Sequence, residues 1–201
     1  MLEVGVTTAN LHDCGPNNDQ LCPPLTVTES RSHFGAWAIV SSPLTLGFDF
    51  SDAATVDKHW DTVTNTDAIE INQDYVGFSG SLFASSADVT SFSPCSGSAS
   101  PGGSNVSNCV FPTAQSWYKP LSGRDSRQSI MAVLLINNGD APRDLSFTFT
   151  EIPGLQGPAP SSFCLYDVWE REHIEGQQFG GYMRKAVASH DSVFLTLSNC
   201  M

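Results

Sequence analysis

Apolar side chains recur along this chain with two different periods, and the change falls near Gly80. Upstream the spacing is helical: Phe34, Trp37, Ala38 and Ser41 stand at i, i+3, i+4 and i+7, one face of a helix. Thr26 and Glu29 open that run as a capping box, the hydroxyl and the carboxylate each satisfying an otherwise unpaired amide of the first turn, and Pro43 is expected to stop it. Leu44-Thr45-Leu46-Gly47-Phe48-Asp49-Phe50 alternates in bulk and predicts a short buried strand, and Asp52 to Val63 predicts a second helix. With Leu2-Glu3-Val4 as the end of a preceding strand, the first 80 residues predict about two β/α units, the repeat of parallel-sheet proteins. A complete eight-fold barrel needs about 250 residues, so this region is expected to be only a fraction of one.

From Ser81 onward the period becomes that of strands. Ser93 to Asn108 is a Ser/Pro/Gly-rich loop between an opening strand and Ser116-Trp117-Tyr118-Lys119. Met131 to Ile136 is apolar without a break, as expected of a strand buried on both faces, and Asn138-Gly139 signals a turn. Leu145 to Thr150 alternates with period two, and Phe163 to Trp169 and Val193 to Leu197 add two strands. Short strands with turn punctuation predict an antiparallel sandwich. The expected organisation is an α/β region over 1–80 and an all-β domain over 81–201.

Charge removes one class of function. With 21 acidic against 9 basic residues the net charge is −12, the wrong sign for holding a phosphate backbone, so no nucleic-acid partner is expected. No membrane span is expected either, because no apolar stretch, Met131 to Ile136 included, approaches the ~18–20 residues that cross a bilayer. Met1 to Gly5 has neither the basic nor the apolar region of a signal peptide. Yet the six cysteines are even in number, lie in loops or near strand ends and form no C-x-x-C pair, which favours disulfides over free thiols. Cys14 and Cys22 would close one loop, Cys95 and Cys109 would staple another, and a Cys164 to Cys200 bond would tie the last strand to an earlier one; the connectivity stays open. Asn105-Val106-Ser107 is a glycosylation sequon. A secreted-type chain without an export signal predicts a missing N-terminal part.

Generic catalytic signatures are few. There is no P-loop and no G-x-G-x-x-G, and Gly77-Phe78-Ser79-Gly80-Ser81 departs from a nucleophile elbow at Ser81, where glycine is required. His12, Cys14 and Cys22 suggest no fourth ligand, so no metal is expected. His33 reads as a packing or hydrogen-bonding histidine rather than a base. Asp49 sits near the C-terminal end of an expected strand, the catalytic face of a β/α barrel, and either lines a pocket or orients the next helix. Glu3 has the same ambiguity, while Asp74 is expected to shape a turn before Gly77. No carboxylate pair stands out. Trp117, Tyr118, Trp169 and Tyr182 could stack on sugar rings or pack internally.

The strings Met1-Leu2-Glu3-Val4-Gly5, Thr28 to Phe34 with Trp37-Ala38-Ile39, and Ser42 to Asp49 closely resemble the C-terminal barrel portion of α-galactosidases of glycoside hydrolase family 27. Ile71-Asn72-Gln73-Asp74 with Gly77 is similar to the segment closing that barrel. Trp117 to Ser122, Val133 to Asn137, Asp167-Val168-Trp169 and Val187 to His190 resemble, more weakly, the family's C-terminal β-domain. The resemblance implies a C-terminal fragment of a (β/α)8 TIM barrel followed by an antiparallel β-sandwich, and retaining hydrolysis of terminal α-galactosides by two aspartates ~5–5.5 Å apart. Both aspartates lie upstream in the family, whose Asp-Pro-Asp-Met-Leu motif this chain enters at Met1. Met1 and Asp49 are then the pocket-wall candidates, no catalytic residue is expected here, and the chain alone is expected to be inactive without the missing N-terminal barrel portion. A non-catalytic carbohydrate-binding or accessory module is the alternative. No cofactor is implied. The family's setting is secreted or lysosomal/vacuolar, and the choice between α-galactosides and α-N-acetylgalactosaminides stays open. Two departures are the Cys14 to Cys22 insertion, which bears on the pocket rim, and Tyr75, where proline is usual.

Overall fold

The computed structural model describes residues 2–6, 24–92, 109–155 and 162–200. Met1, Cys14, Cys22, Cys95 and Asn105 lie outside them, as does the side chain of Cys109.

Among the described residues three helices precede the strands. In α1 (Val27–Ile39) the Thr26 Oγ accepts from the Glu29 amide at 3.1 Å and the Glu29 carboxylate accepts from the Thr26 amide at 2.8 Å, the capping box the sequence predicts. The helix ends four residues before Pro43, earlier than expected. Ser41 takes a left-handed φ of 56°, Ser42 N–H donates to Trp37 C=O and Ser41 N–H to Ala38 C=O, so a Schellman closure and not the proline stops it. Helix α2 (Ala53–Val63) is capped by Asp52. Helix α3 (Thr66–Gln73), which the periodicity does not single out, starts at Asn65, whose Oδ1 accepts from the Ala68 amide while its Nδ2 donates to Val168 C=O at 2.8 Å.

The expected buried strand over 44–50 is reduced to one parallel bridge, Leu2 to Leu46, supported by Leu2 N–H donating to Thr45 C=O at 2.9 Å. Phe48 is the one buried residue of that run, and Asp49 and Phe50 are exposed. A two-segment parallel contact has no flanking strands to extend its ladder or to cover both faces among the described residues.

Among the described residues eleven strands follow: β1 (Ser81–Ser85), β2 (Val89–Phe92), β3 (Cys109–Pro112), β4 (Ala114–Pro120), β5 (Met131–Asn137), β6 (Arg143–Thr148), β7 (Ser162–Asp167), β8 (Glu172–His173), β9 (Gln178–Phe179), β10 (Gly181–Val187) and β11 (Ser192–Ser198). The main sheet runs β1-β4-β5-β11-β7-β8, with β9 also on β7, and β6 pairs with β10 in a second sheet; every named ladder is antiparallel. This is the antiparallel β-sandwich. The residues of β5 alternate between its two layers. Met131, Val133 and Leu135 face Leu145 and Phe147 of the second sheet, while Ala132, Leu134 and Ile136 face Phe34 and Ala38 of α1. Coverage on both sides is why β5 and most of β11 carry no polar alternation.

Two strands stop sooner than the sequence suggests. After Thr148 the chain tightens into a 3₁₀ turn, Phe149–Glu151. Strand β7 ends at Asp167, whose Oδ1 accepts from the Trp169 and Glu170 amides and folds the chain away. The Cys164–Cys200 disulfide is present and ties β7 to the residues just after β11.

Candidate functional site

The carboxylates that sequence position singles out are each engaged in local structure. Asp49 Oδ1 accepts from both the amide (2.8 Å) and the hydroxyl (2.7 Å) of Ser51. These donors, the backbone one first, hold its pKa below the ordinary value, so it stays ionised and has no proton to give a leaving group. The next helix is capped by its neighbour Asp52, which accepts from Ala54, Thr55 and the Thr55 hydroxyl. Asp74 Oδ2 accepts from the amide (2.7 Å) and hydroxyl (2.9 Å) of Ser122. It thus joins the end of α3 to the β4–β5 connection, which is more than the turn expected of it; Gly77, with φ of 90°, makes the bend that follows.

Glu3 and Asp49 flank the Leu2 to Leu46 bridge, and both are exposed. Gly5 lets the chain pass close over this point: its φ is 69°, and a Cβ there would sit 3.0 Å from the Phe48 ring. His33 secures the segment from below. Its Nε2 accepts from the Glu3 amide at 3.2 Å, and its ring leans on Trp37 at 5.8 Å. That bond needs the neutral ring with its proton on Nδ1. Burial lowers the His33 pKa below 6.5, Glu3 pulling weakly the other way. A lowered folded-state pKa means the unfolded chain takes up the proton first, so this contribution is complete above pH 6.5 and is lost as pH falls through the lower folded value. We expect the unfolding free energy to drop on acidification more steeply in the wild type than in His33→Gln, whose amide oxygen accepts from Glu3 at any pH. Parallel pH profiles for the two proteins would refute it.

A second group joins the two motifs of the resemblance. Lys119, fully buried in β4, donates from Nζ to Ser41 Oγ at 2.7 Å, to Asn72 C=O at 3.2 Å and to Ile71 C=O. Asn72 in turn donates from Nδ2 to Ser42 C=O (2.8 Å) and Trp37 C=O (3.3 Å). The Ile71-Asn72-Gln73-Asp74 run therefore seats on Lys119 and Ser122, and its side chains hold the ends of α1 and α3 to the sheet. Gly80 completes this seam by donating to Ile39 C=O at 3.1 Å, and a Cβ there would collide with that carbonyl oxygen. The role of Lys119 is not readable from spacing; the one signal is a charged residue at a strand position flanked by tyrosine and proline.

The four aromatics considered for sugar stacking are half-buried and packed. Trp117 and Trp169 belong to the helix-side core, Tyr118 and Tyr182 to the other. Trp169 rests on Phe194 at 5.3 Å and donates its Nε1–H to Ser192 Oγ, while the Tyr182 hydroxyl accepts from Arg184. Among the described residues, no group of three or more His, Cys, Asp or Glu side chains is arranged to hold a metal ion, and no helix is long and apolar enough to cross a membrane.

Residues 112–197 match the family described as the alpha galactosidase C-terminal beta sandwich domain. An alpha-galactosidase of Coffea arabica is 27% identical over 176 residues, which cover 87% of this chain and 36% of that protein. Alpha-galactosidase I of Mortierella vinacea superposes with a TM-score of 0.64 at 19% identity, over 88% of this chain and 36% of its own. The alpha-galactosidase of Saccharomyces cerevisiae solved with raffinose gives 0.62 at 20% identity, over 99% of this chain and 46% of its own. The present chain thus spans about a third of the length of the Coffea relative, and the two structural likenesses speak to fold.

Proposed function

We propose that the chain is the C-terminal part of an α-galactosidase of glycoside hydrolase family 27, a reading supported by the match over residues 112–197 and by the Coffea arabica relative, and that it supplies the closing β/α segment and the β-sandwich to an enzyme that hydrolyses terminal α-galactosides. In this reading residues 1–80 are the last units of the barrel, residues 81–201 are the sandwich, and the polypeptide alone does not carry out the hydrolysis. Retention requires two carboxyl groups ~5–5.5 Å apart, one of which is protonated when the leaving group departs. The observation that carries the proposal is that Asp49 and Asp74 each accept two hydrogen bonds from a serine and serve as braces. Met1 and Asp49 would contribute only to the wall of a pocket whose reacting carboxylates come from a preceding barrel portion. The packed state of Trp117, Tyr118, Trp169 and Tyr182 gives no support to a free-standing carbohydrate-binding module. The Cys164–Cys200 bond supports a route through an oxidising compartment, with a secreted or vacuolar destination.

The test is hydrolysis of an aryl α-galactoside. The 201-residue chain is expected to show no turnover above background, and a chimera carrying the N-terminal part of the Coffea arabica relative ahead of Leu2 is expected to gain it. Turnover by the chain alone that disappears in Asp49→Asn would overturn the proposal, and so would a folded chimera that stays inert.

A further inference from the structure

A cleft of about 350 Å³ opens between α3 and the connection from β4 to β5, and neither Glu3 nor Asp49 lines it. Its framework is a set of paired side chains. Arg127 lies over the Tyr166 ring at 4.1 Å and pairs with Asp67 at 2.8 Å, and the Tyr166 hydroxyl donates to the other oxygen of Asp67 at 3.0 Å. Arg127 Nε is buried and lies 3.3 Å from Asp125, out of line for a hydrogen bond. Around this framework several groups keep unused capacity. Among the described residues Arg124 has no hydrogen bond or ion pair. Asp74 spends only Oδ2 on Ser122, and the Glu70 carboxylate is 63% exposed at 3.9 Å from Arg127. Ile71 and Leu121 add apolar wall.

Charge narrows what such a site takes. Four carboxylates, Asp67, Glu70, Asp74 and Asp125, against the guanidiniums of Arg124 and Arg127 leave the lining at 2 − 4 = −2. That disfavours phosphate, while the two guanidiniums disfavour a bare cation. Planar charged groups of both signs beside an apolar wall suit a neutral ligand with several hydroxyls and one nonpolar face, since each hydroxyl both donates to a carboxylate and accepts from an arginine. The volume is near the lower end of small-molecule sites, ~300–1,000 Å³. The geometry points to a binding site here for a neutral polyhydroxylated ligand the size of one sugar ring, separate from any pocket completed at Glu3 and Asp49.

Amide shift mapping by NMR on the 201-residue chain tests this, with D-galactose, D-glucose, glycerol and inorganic phosphate as probes. A hexose is expected to shift the Glu70, Ser122 and Arg124 amides saturably, and Glu70→Ala with Arg124→Ala is expected to weaken that binding about tenfold or more. Should the double variant fail to fold, the wild-type map decides. Saturable shifts confined to residues outside this cleft, no saturable shift with either hexose, preferential binding of phosphate, or undiminished binding in the folded double variant would each overturn the assignment. None of these readouts involves hydrolysis, so the result is independent of the proposed enzymatic role.

Discussion

Lys119→Met should cost the fold about 3–5 kcal/mol, a large share of the ~5–15 kcal/mol that stabilises a typical domain. Methionine keeps the volume of the side chain but leaves the Ile71 and Asn72 carbonyls and the Ser41 hydroxyl without their common donor in a buried seam. Because these acceptors end α1 and α3, the loss should loosen the helical layer first. Urea titration gives the magnitude, and hydrogen exchange at the α3 amides gives the location. The pH dependence carries a distinctive sign. Burial pushes the Lys119 pKa down from 10.5 to about 8, against the pull of Asp74. Below about 8 the charged ammonium bears its full desolvation cost; as pH rises from there to 10.5 the unfolded chain still holds the proton that the folded chain has released. The wild type should therefore gain stability across that interval, by up to about 3 kcal/mol, and Lys119→Met should not. A variant within about 1 kcal/mol of wild type at neutral pH, or one with the same alkaline slope, would show that the seam does not rest on this ammonium.

Asn137→Leu should be of similar size, about 3–5 kcal/mol, through a different mechanism. Asn137 is completely buried at the end of β5. Its Nδ2 donates to Ala141 C=O (2.9 Å), Val187 C=O (3.1 Å) and Ala188 C=O (2.8 Å), and its Oδ1 accepts from the Gly139 amide (3.0 Å). One amide group thus stands in for the ladder at the place where β10 leaves the sheet and the β5–β6 turn begins. Leucine matches the shape and meets none of these groups, each of which costs ~1–3 kcal/mol when buried and unpaired. Calorimetric unfolding measures the loss, and Gly139 amide exchange should accelerate in the same variant. Unchanged protection at Gly139 would contradict this account.

What the sequence discloses follows from where the physics is local. The capping box at Thr26 and Glu29 is readable because both partners lie within one turn. The unbroken apolar run of β5 is readable because both of its faces are covered. Helix α3 is not, because its eight residues are polar on average and are held by distant groups, Val168 through Asn65 and Lys119 through the helix's last carbonyls. Strand β10 is hidden for a related reason: its register breaks between Arg184 and Val187, Ala186 adopts a φ of 52°, and the freed amide is taken by Asp144 at 2.8 Å. An expected strand end singles out Asp49 and a turn before Gly77 singles out Asp74, but a carboxylate's sequence neighbours do not reveal which donors it will meet. For Asp49 the partner is two residues away, and for Asp74 it is Ser122, brought in by the sheet. The cleft residues Glu70, Arg124 and Arg127 carried no sequence signal at all, since they come from segments that only the fold places together.

Strand β11 sits between β5 and β7 at the middle of the main sheet, yet it follows every other strand of that sheet in the chain. During synthesis, a nascent polypeptide that has emerged as far as Asp191 holds β5 and β7 with no strand to bridge them and with apolar side chains uncovered on both flanks. The sheet can close only once Ser192 to Ser198 has left the ribosome, and the disulfide at Cys200 can form only later still. Assembly of this domain is therefore a late event on the cellular clock, with a long sticky interval before it. A premature stop before Ser192 would remove the centre of the structure and not its margin.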